Sequence, residues 1–260
     1  MSKSNPSVEL SLRDHAFFFD VDGTLAEIQP RPELVFIPGT THHALSRFQS
    51  LGGAVAVVSG RPLSQLDTLL QPIVMPAAGV HGAERRTAEG ELHSLAVEDT
   101  QRVALEAELD AASKRIPGLM VENKRIAFAL HYRQVPHIES DVRSLAHAMV
   151  ERYPSLAVQP GKFVFELKPK GASKGEVIKT FLEEAPFAGK TPVFLGDDLT
   201  DEAGFEVVNA LGGISIKVGE GETVAQYRLE SVAAVGKWLD DLLAYVASNT
   251  EHTLETGGPK

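Results

Sequence analysis

The chain is 260 residues long, room for one large or two modest domains, and at 43% hydrophobic residues it is too apolar to be disordered. With 25 Lys and Arg against 35 Asp and Glu, the formal net charge is −10, which speaks against a general nucleic-acid binder but not against a local positive pocket. There is no Cys, which excludes disulfides, thiolate zinc sites, iron–sulfur clusters and cysteine nucleophiles together.

From the N-terminus, Met1 to Asp14 is polar and lacks the apolar stretch of a signal peptide. Ala16–Phe19 reads as a continuous apolar strand covered on both faces. Pro38-Gly39 introduces a helical pattern over Thr40–Leu51. Ala54–Val58 is the next strand and the purest apolar run, far shorter than the ~20 residues of a membrane span. Pro62 then opens a helix over Leu63–Leu70, as suits a first turn. Ile73–Val80 is a further strand, interrupted by Pro76. No segment calls for a membrane, and the reading is a cytoplasmic protein.

The pattern changes from about Arg85. A turn at Ala88-Glu89-Gly90, an amphipathic helix over Val97–Arg115 and a strand over Ile126–Tyr132 come first. A helix over Ser140–Arg152 follows, then two strands, Leu156–Gln159 and Phe163–Leu167, separated by Gly161. Strands and helices then alternate again. Ser173–Leu182 carries an N-cap candidate with Glu176 three residues on. Pro192–Leu195 and Ile214–Val218 are strands, and Thr200–Asn209 and Val232–Val246 are helices. The sequence predicts an α/β fold with a mostly parallel sheet, interrupted by an α+β insert. The polar residues 249–260 read as a disordered tail.

Chemistry collects at strand ends, where ligands of open α/β sheets bind. Asp20-Val21-Asp22-Gly23-Thr24 follows the first strand, and two carboxylates one residue apart could hold a hard cation; an ordinary Asp-Gly turn is the alternative. Gly196-Asp197-Asp198-Leu199-Thr200-Asp201-Glu202 follows another strand. Such crowding raises carboxylate pKa values unless a cation such as Mg²⁺ neutralises it. For Asp201 and Glu202 the start of a helix, favoured by its dipole, competes with that reading. Ser59-Gly60-Arg61 can bind phosphate oxygens, although alone it reads better as a plain turn. Lys174 can counter phosphate and Asp charge, although alone it reads better as a solvated lysine. Neither a P-loop nor a complete dinucleotide fingerprint is present.

Taken in order, these segments resemble the haloacid dehalogenase-like phosphatases, with Asp-x-Asp-x-Thr, then Ser, then Lys, then an acidic pair. The long interval between Ser59 and Lys174 is similar to that superfamily's type 2 cap insertion. Further segments resemble the trehalose-6-phosphate phosphatase family: Gly79-Val80-His81-Gly82-Ala83-Glu84-Arg85, Ala129-Leu130-His131-Tyr132-Arg133 and Gln159-Pro160-Gly161-Lys162. The fold implied is a Rossmann-like parallel-sheet core, residues 1–84 and 169–248, with an inserted α+β cap, 85–168. The resemblance implies Mg²⁺-dependent hydrolysis of trehalose 6-phosphate by a monomer with no nucleic-acid or membrane partner.

The resemblance also implies roles. Asp20 is the nucleophile, and Asp22 protonates the leaving oxygen and then activates water. Mg²⁺ is held by Asp20, the Asp22 carbonyl and Asp197, with Asp198 and Asp201 orienting its waters. Ser59 and Thr24 bind phosphoryl oxygens, Arg61 lies with them, and Lys174 balances charge. The cap and its entrance supply specificity through His81, Gly82, Glu84, Arg85, Lys124, His131, Arg133, Lys162 and Glu166. The spacings 131/133 and 162/166 place each pair on one strand face. Open alternatives are another sugar phosphatase (for sucrose phosphate, for example), a silent sugar-phosphate-binding module, and a phosphotransferase or mutase.

Overall fold

The structure is a computed structural model that describes residues 3–4, 6, 10–95 and 97–255. Its strands are β1 (Lys3–Ser4), β2 (His15–Phe19), β3 (Ala54–Val58), β4 (Ala77–Gly79), β5 (Glu84–Arg86) and β6 (Leu92–Ser94). They continue as β7 (Met120–Asn123), β8 (Phe128–His131), β9 (Leu156–Gly161), β10 (Val164–Pro169), β11 (Thr191–Gly196), β12 (Ile214–Val218) and β13 (Tyr227–Leu229). The helices are α1 (Gly39–Ser50), α2 (Leu63–Leu70), α3 (Asp99–Arg115), α4 (Glu139–Arg152), α5 (Lys174–Leu182), α6 (Glu202–Ala210) and α7 (Val232–Glu255).

One sheet runs β1-β13-β12-β11-β2-β3-β4-β5-β6, parallel from β1 through β4 and antiparallel across β4, β5 and β6. Its central strands alternate between two cores, which is why they read as unbroken apolar runs. Phe17 and Phe19 point into a cluster with α1, α2 and α7, including Leu45, Phe48, Leu66 and Trp238. Ala16 and Phe18 point the other way, into a cluster with α5 and α6 that holds Ile178, Phe181 and Phe205. All three phenylalanines are fully buried, each contributing about 1.5–3 kcal/mol of transfer free energy.

The second sheet, β7-β8-β10-β9, is antiparallel. Its apolar face packs on α3 and α4 through Leu109, Val142, Met149, Leu130, Phe165 and Leu167. The opposite face is polar, and that asymmetry gives the second sheet its role at the site.

Several expectations need correction. The hairpin β5–β6 extends the large sheet, so a boundary at Arg85 falls inside a core hairpin. The expected tail from Asn249 begins inside α7, which continues through Glu255; residues 256–260 lie outside the described residues. Thr200–Asn209 divides into a 3-10 turn, Leu199–Asp201, and α6. Strands β7 and β13 were not foreseen, being short and carrying polar residues. Lys162 occupies the turn between β9 and β10, and Arg133 a turn after β8, so neither shares a strand face with its expected partner. Among the described residues no helix is long and apolar enough to cross a membrane.

Candidate active site

Parallel register brings the ends of β2, β3 and β11 together. Asp20 N–H donates to the Leu195 carbonyl at 2.9 Å, and Ser59 N–H to the Ala78 carbonyl at 2.9 Å. Gly23 lets the first loop press on the second acidic loop. Its φ is +80°, and a Cβ there would fall 2.1 Å from Asp197 Oδ2, so no side chain fits.

Lys174 is buried rather than solvated. Ser173 caps α5 by accepting the Glu176 N–H at 3.0 Å, and the first turn of the helix thereby carries Lys174 into the site. Its ammonium lies 2.9 Å from Asp20 Oδ1 and 2.7 Å from Asp201 Oδ1. Burial works to lower the Lys174 pKa, but the two carboxylates overcome it and hold the value well above the usual lysine range. Gly82, at φ +95°, leaves room for the Ser173 carbonyl and Val177 beside it, where a Cβ would fall 2.9 Å from that carbonyl.

Asp201 organises the acidic loop. Its Oδ2 accepts the N–H groups of Asp197 and Asp198, both at 3.0 Å, while Asp198 Oδ1 accepts from Thr200 N–H and hydroxyl. Asp201 thus closes the helix start through Oδ2 while its Oδ1 meets Lys174. Glu202 faces away and accepts the Val224 N–H. Lys217, on β12, is buried and donates to the Asp197 carbonyl, a contact that sequence reasoning missed. Its only signal was a lysine inside a short, largely apolar strand, Ile214–Val218, that also carries Ser215.

Carboxylate oxygens of Asp20, Asp197 and Asp201 lie within 4.8 Å of one another. Burial first, then neighbouring carboxylates, pushes Asp197 up to about 7; burial against the opposing Lys174 brings Asp201 to about 6. Asp20 is raised as well, chiefly by burial. Such a hard, all-oxygen, charge-rich donor set fits a divalent cation such as Mg²⁺.

A carboxyl raised in the folded state holds its proton more tightly there than in the unfolded chain. The contribution of Asp197 and Asp201 to the stability of the metal-free protein therefore falls as pH rises from about 4 to about 7. Added Mg²⁺ is expected to raise the thermal midpoint more at pH 7.5 than at pH 5, because its ligands must be deprotonated. Thermal scans with and without the metal test this; a metal-induced rise no larger at pH 7.5 than at pH 5 would contradict it.

Asp22 turns away from the carboxylate cluster. Arg61 grips it bidentately, Nε to Oδ2 at 2.6 Å and NH2 to Oδ1 at 2.7 Å. Arg61 NH1 is in turn anchored on the Pro32 carbonyl and Gln65 Oε1, both at 3.3 Å. Arg61 thus contacts a carboxylate of the first motif.

The polar face of the second sheet meets this edge. On β10, Phe165 and Leu167 enter the apolar cluster, so Glu166 and Lys168 project from the opposite face. Glu166 Oε1 accepts from Lys124 Nζ at 2.5 Å, and Glu166 Oε2 lies 2.9 Å from His81 Nε2. Lys124 also donates to the Gly60 carbonyl at 3.2 Å. Burial works to raise the Glu166 pKa, yet His81 and Lys124 hold it well below the usual carboxylate range; burial lowers that of His81. Val80 and His81 are left-handed at φ +48° and +55°, a strained backbone that accompanies the placement of the imidazole 2.9 Å from Glu166. His131 pairs with Glu122 at 2.9 Å on the same polar face.

Besides Glu166 Oε2, which meets His81, four buried side-chain polar atoms among the described residues lack a hydrogen-bond partner: Thr24 Oγ1, His81 Nδ1, Glu202 Oε1 and Trp238 Nε1. The first two belong to residues at the strand-end site, as befits a site that meets a polar ligand.

Two expected entrance residues are occupied elsewhere. Arg85 forks onto Glu184 at 2.5 and 2.9 Å and covers the Phe181 ring, while Glu84 accepts the Leu63 N–H at the start of α2. Both carry packing. Lys162 and Arg133 are exposed in their turns. Glu122 and Lys168 were missed, although the alternation of Phe165 and Leu167 with Glu166 and Lys168 is legible in the sequence.

The large, mostly parallel sheet with its inserted antiparallel sheet is the fold of haloacid dehalogenase-like proteins. In fold, the chain is similar to a phosphatase of that superfamily from Bacteroides thetaiotaomicron, with a TM-score of 0.64 at 15% identity, covering 91% of this chain and 97% of that one. It is likewise similar to the C-terminal domain of a Candida albicans trehalose-6-phosphate phosphatase, with a TM-score of 0.76 at 22% identity over 89% and 92% of the two chains. A trehalose-phosphatase family model matches residues 18–233, and the chain belongs to that family. Over 245 residues it is 46% identical to trehalose-6-phosphate phosphatase of Escherichia coli strain K12, spanning 94% of this chain and 92% of that protein.

Proposed function

We propose that the chain hydrolyses trehalose 6-phosphate to trehalose and phosphate, with residues 99–168 acting as a specificity cap over the core. The observation that carries the chemistry is the buried contact between Asp20 and Lys174 at 2.9 Å, with Asp197 and Asp201 alongside. It presents a nucleophilic carboxylate to a phosphoryl group while balancing its charge. The substrate is supported by the 46% identity to the E. coli enzyme and by the polar cap face.

In this reading Asp20 attacks phosphorus, and the phosphorus–oxygen bond to the sugar breaks, leaving an aspartyl-phosphate. Asp22 gives its proton to the departing sugar oxygen, then takes one from the water that hydrolyses the intermediate. To do so it must leave Arg61, which holds it in this structure. Thr24 and Ser59 hydrogen-bond the phosphoryl oxygens. Asp20, Asp197 and the Asp22 carbonyl would hold Mg²⁺, which supplies charge neutralisation between phosphate and carboxylates. Glu166, Lys124 and His81 bind sugar hydroxyls, and a site built to pair hydroxyls rejects sugars lacking them.

The test is phosphate release from trehalose 6-phosphate, sucrose 6-phosphate, glucose 6-phosphate and p-nitrophenyl phosphate, with Mg²⁺ and with EDTA. Among the sugar phosphates, Mg²⁺-dependent release confined to trehalose 6-phosphate is expected, with slower turnover of p-nitrophenyl phosphate. An isomerised sugar phosphate in place of free phosphate would point to a mutase, and no turnover to a silent binding module. Glu166→Gln should lower kcat/KM on trehalose 6-phosphate about 100-fold while sparing p-nitrophenyl phosphate. An equal loss on both esters would remove Glu166 from substrate recognition.

A further inference from the structure

Lys168 is the one strongly buried cation of the polar cap face that no carboxylate of the described residues pairs with. Its side chain leaves β10 on the face of Glu166, and the residue is 5% exposed. Its one hydrogen bond goes to the neutral amide Gln159 Oε1, at 2.9 Å. An ammonium has three donors, so this leaves two to be met.

The surroundings make that arrangement costly. Burying a cation is expensive unless an anion lies beside it. Glu166 is near enough to act on Lys168 electrostatically, but its Oε1 is taken by Lys124 and its Oε2 faces His81. Lys174 acts in the opposite sense, as a second buried cation nearby. Burial and this like charge draw the Lys168 pKa down to about 8. Strand β9, which carries Gln159, lies against the Leu199–Asp201 turn of the acidic loop, and Lys168 is near both Glu166 and the core's Lys174.

We propose that Lys168 is a substrate-binding, specificity-determining residue whose ammonium donates to the sugar phosphate at its phosphate-bearing end. The inference rests on the sugar-phosphate reading above and extends it to a residue outside the recognised motifs. The substrate brings the anion that this cation otherwise lacks, and Gln159 aims the ammonium while the cleft is empty. A small ester without the sugar still satisfies Lys174 and Asp20 but does not fill the cap face, so it gains less from Lys168.

The experiment compares the full-length wild type with Lys168→Met and Lys168→Arg. Initial rates are read on trehalose 6-phosphate and p-nitrophenyl phosphate, and trehalose and inorganic phosphate serve as competitive inhibitors. Lys168→Met is expected to raise KM for the sugar phosphate about 10- to 100-fold, and to lower kcat/KM on the small ester by a clearly smaller factor. Lys168→Arg should recover most of the loss. Weakened inhibition by phosphate places the contact on phosphoryl oxygens, and weakened inhibition by trehalose places it on sugar oxygens; either supports the proposal. An unchanged KM in Lys168→Met, or equal losses on both esters, overturns it. Should Lys168→Met fail to fold, Lys168→Gln is read in the same way. The wild-type panel reports separately on the parent reading. If another sugar phosphate proves to be the better substrate, the variants are compared on that ester; if none is turned over, the reading and this proposal fall together.

Discussion

Asp20→Asn is expected to abolish turnover, lowering kcat on the order of 10⁴-fold or more, since an amide cannot form the covalent intermediate. The fold should survive. Asn is isosteric, Lys174 keeps Asp201 at 2.7 Å, and one negative charge leaves a crowded cluster. The metal-free variant at pH 7.5 should therefore melt no lower than wild type, because burial and like charge already disfavour the ionised Asp20. Steady-state rates and a thermal scan decide it. Turnover near the wild-type rate would refute Asp20 as nucleophile, and loss of activity together with the fold would mean that Asp20 acts structurally.

Lys174→Met should produce the largest loss of stability. Its ammonium lies between Asp20 and Asp201, and all three residues are less than 5% exposed. Methionine keeps the length and most of the apolar stem but removes the charge, stranding two buried carboxylates. Breaking a buried pair in this way costs about 3–5 kcal/mol. The loss should be greater at pH 8 than at pH 5, because at lower pH the stranded carboxyls take up protons and shed the uncompensated charge. Urea unfolding at the two pH values measures it. A loss under about 1 kcal/mol at pH 8 would mean that solvent reaches the cluster and that Lys174 is not needed to balance it. Activity should vanish as well, since Asp20 would then be driven toward its protonated form.

The residues of the chain were enough to determine the α/β class, the central strands, and the strand-end placement of Asp20, Ser59 and Asp197. These follow from local rules. A strand covered on both faces is apolar throughout, so the polar residue that ends it marks the sheet edge where ligands collect. The Ser173 cap was equally legible, because capping joins residues only three apart.

What tertiary structure alone decided was the use made of each charge. Lys174 and Lys162 are both lysines beside a glycine in sequence, yet one is buried on two carboxylates and the other is exposed in a turn. Arg85 and Arg61 both looked like site residues; long-range packing sends the first to Glu184 and the second to Asp22. Lys217 and Lys168 carried no motif, since their partners lie far along the chain or across a hairpin, Asp197 on the acidic loop and Gln159 on β9. Charge pairing reaches as far as the fold brings atoms together, so its partners are set by three-dimensional contact and not by spacing along the chain.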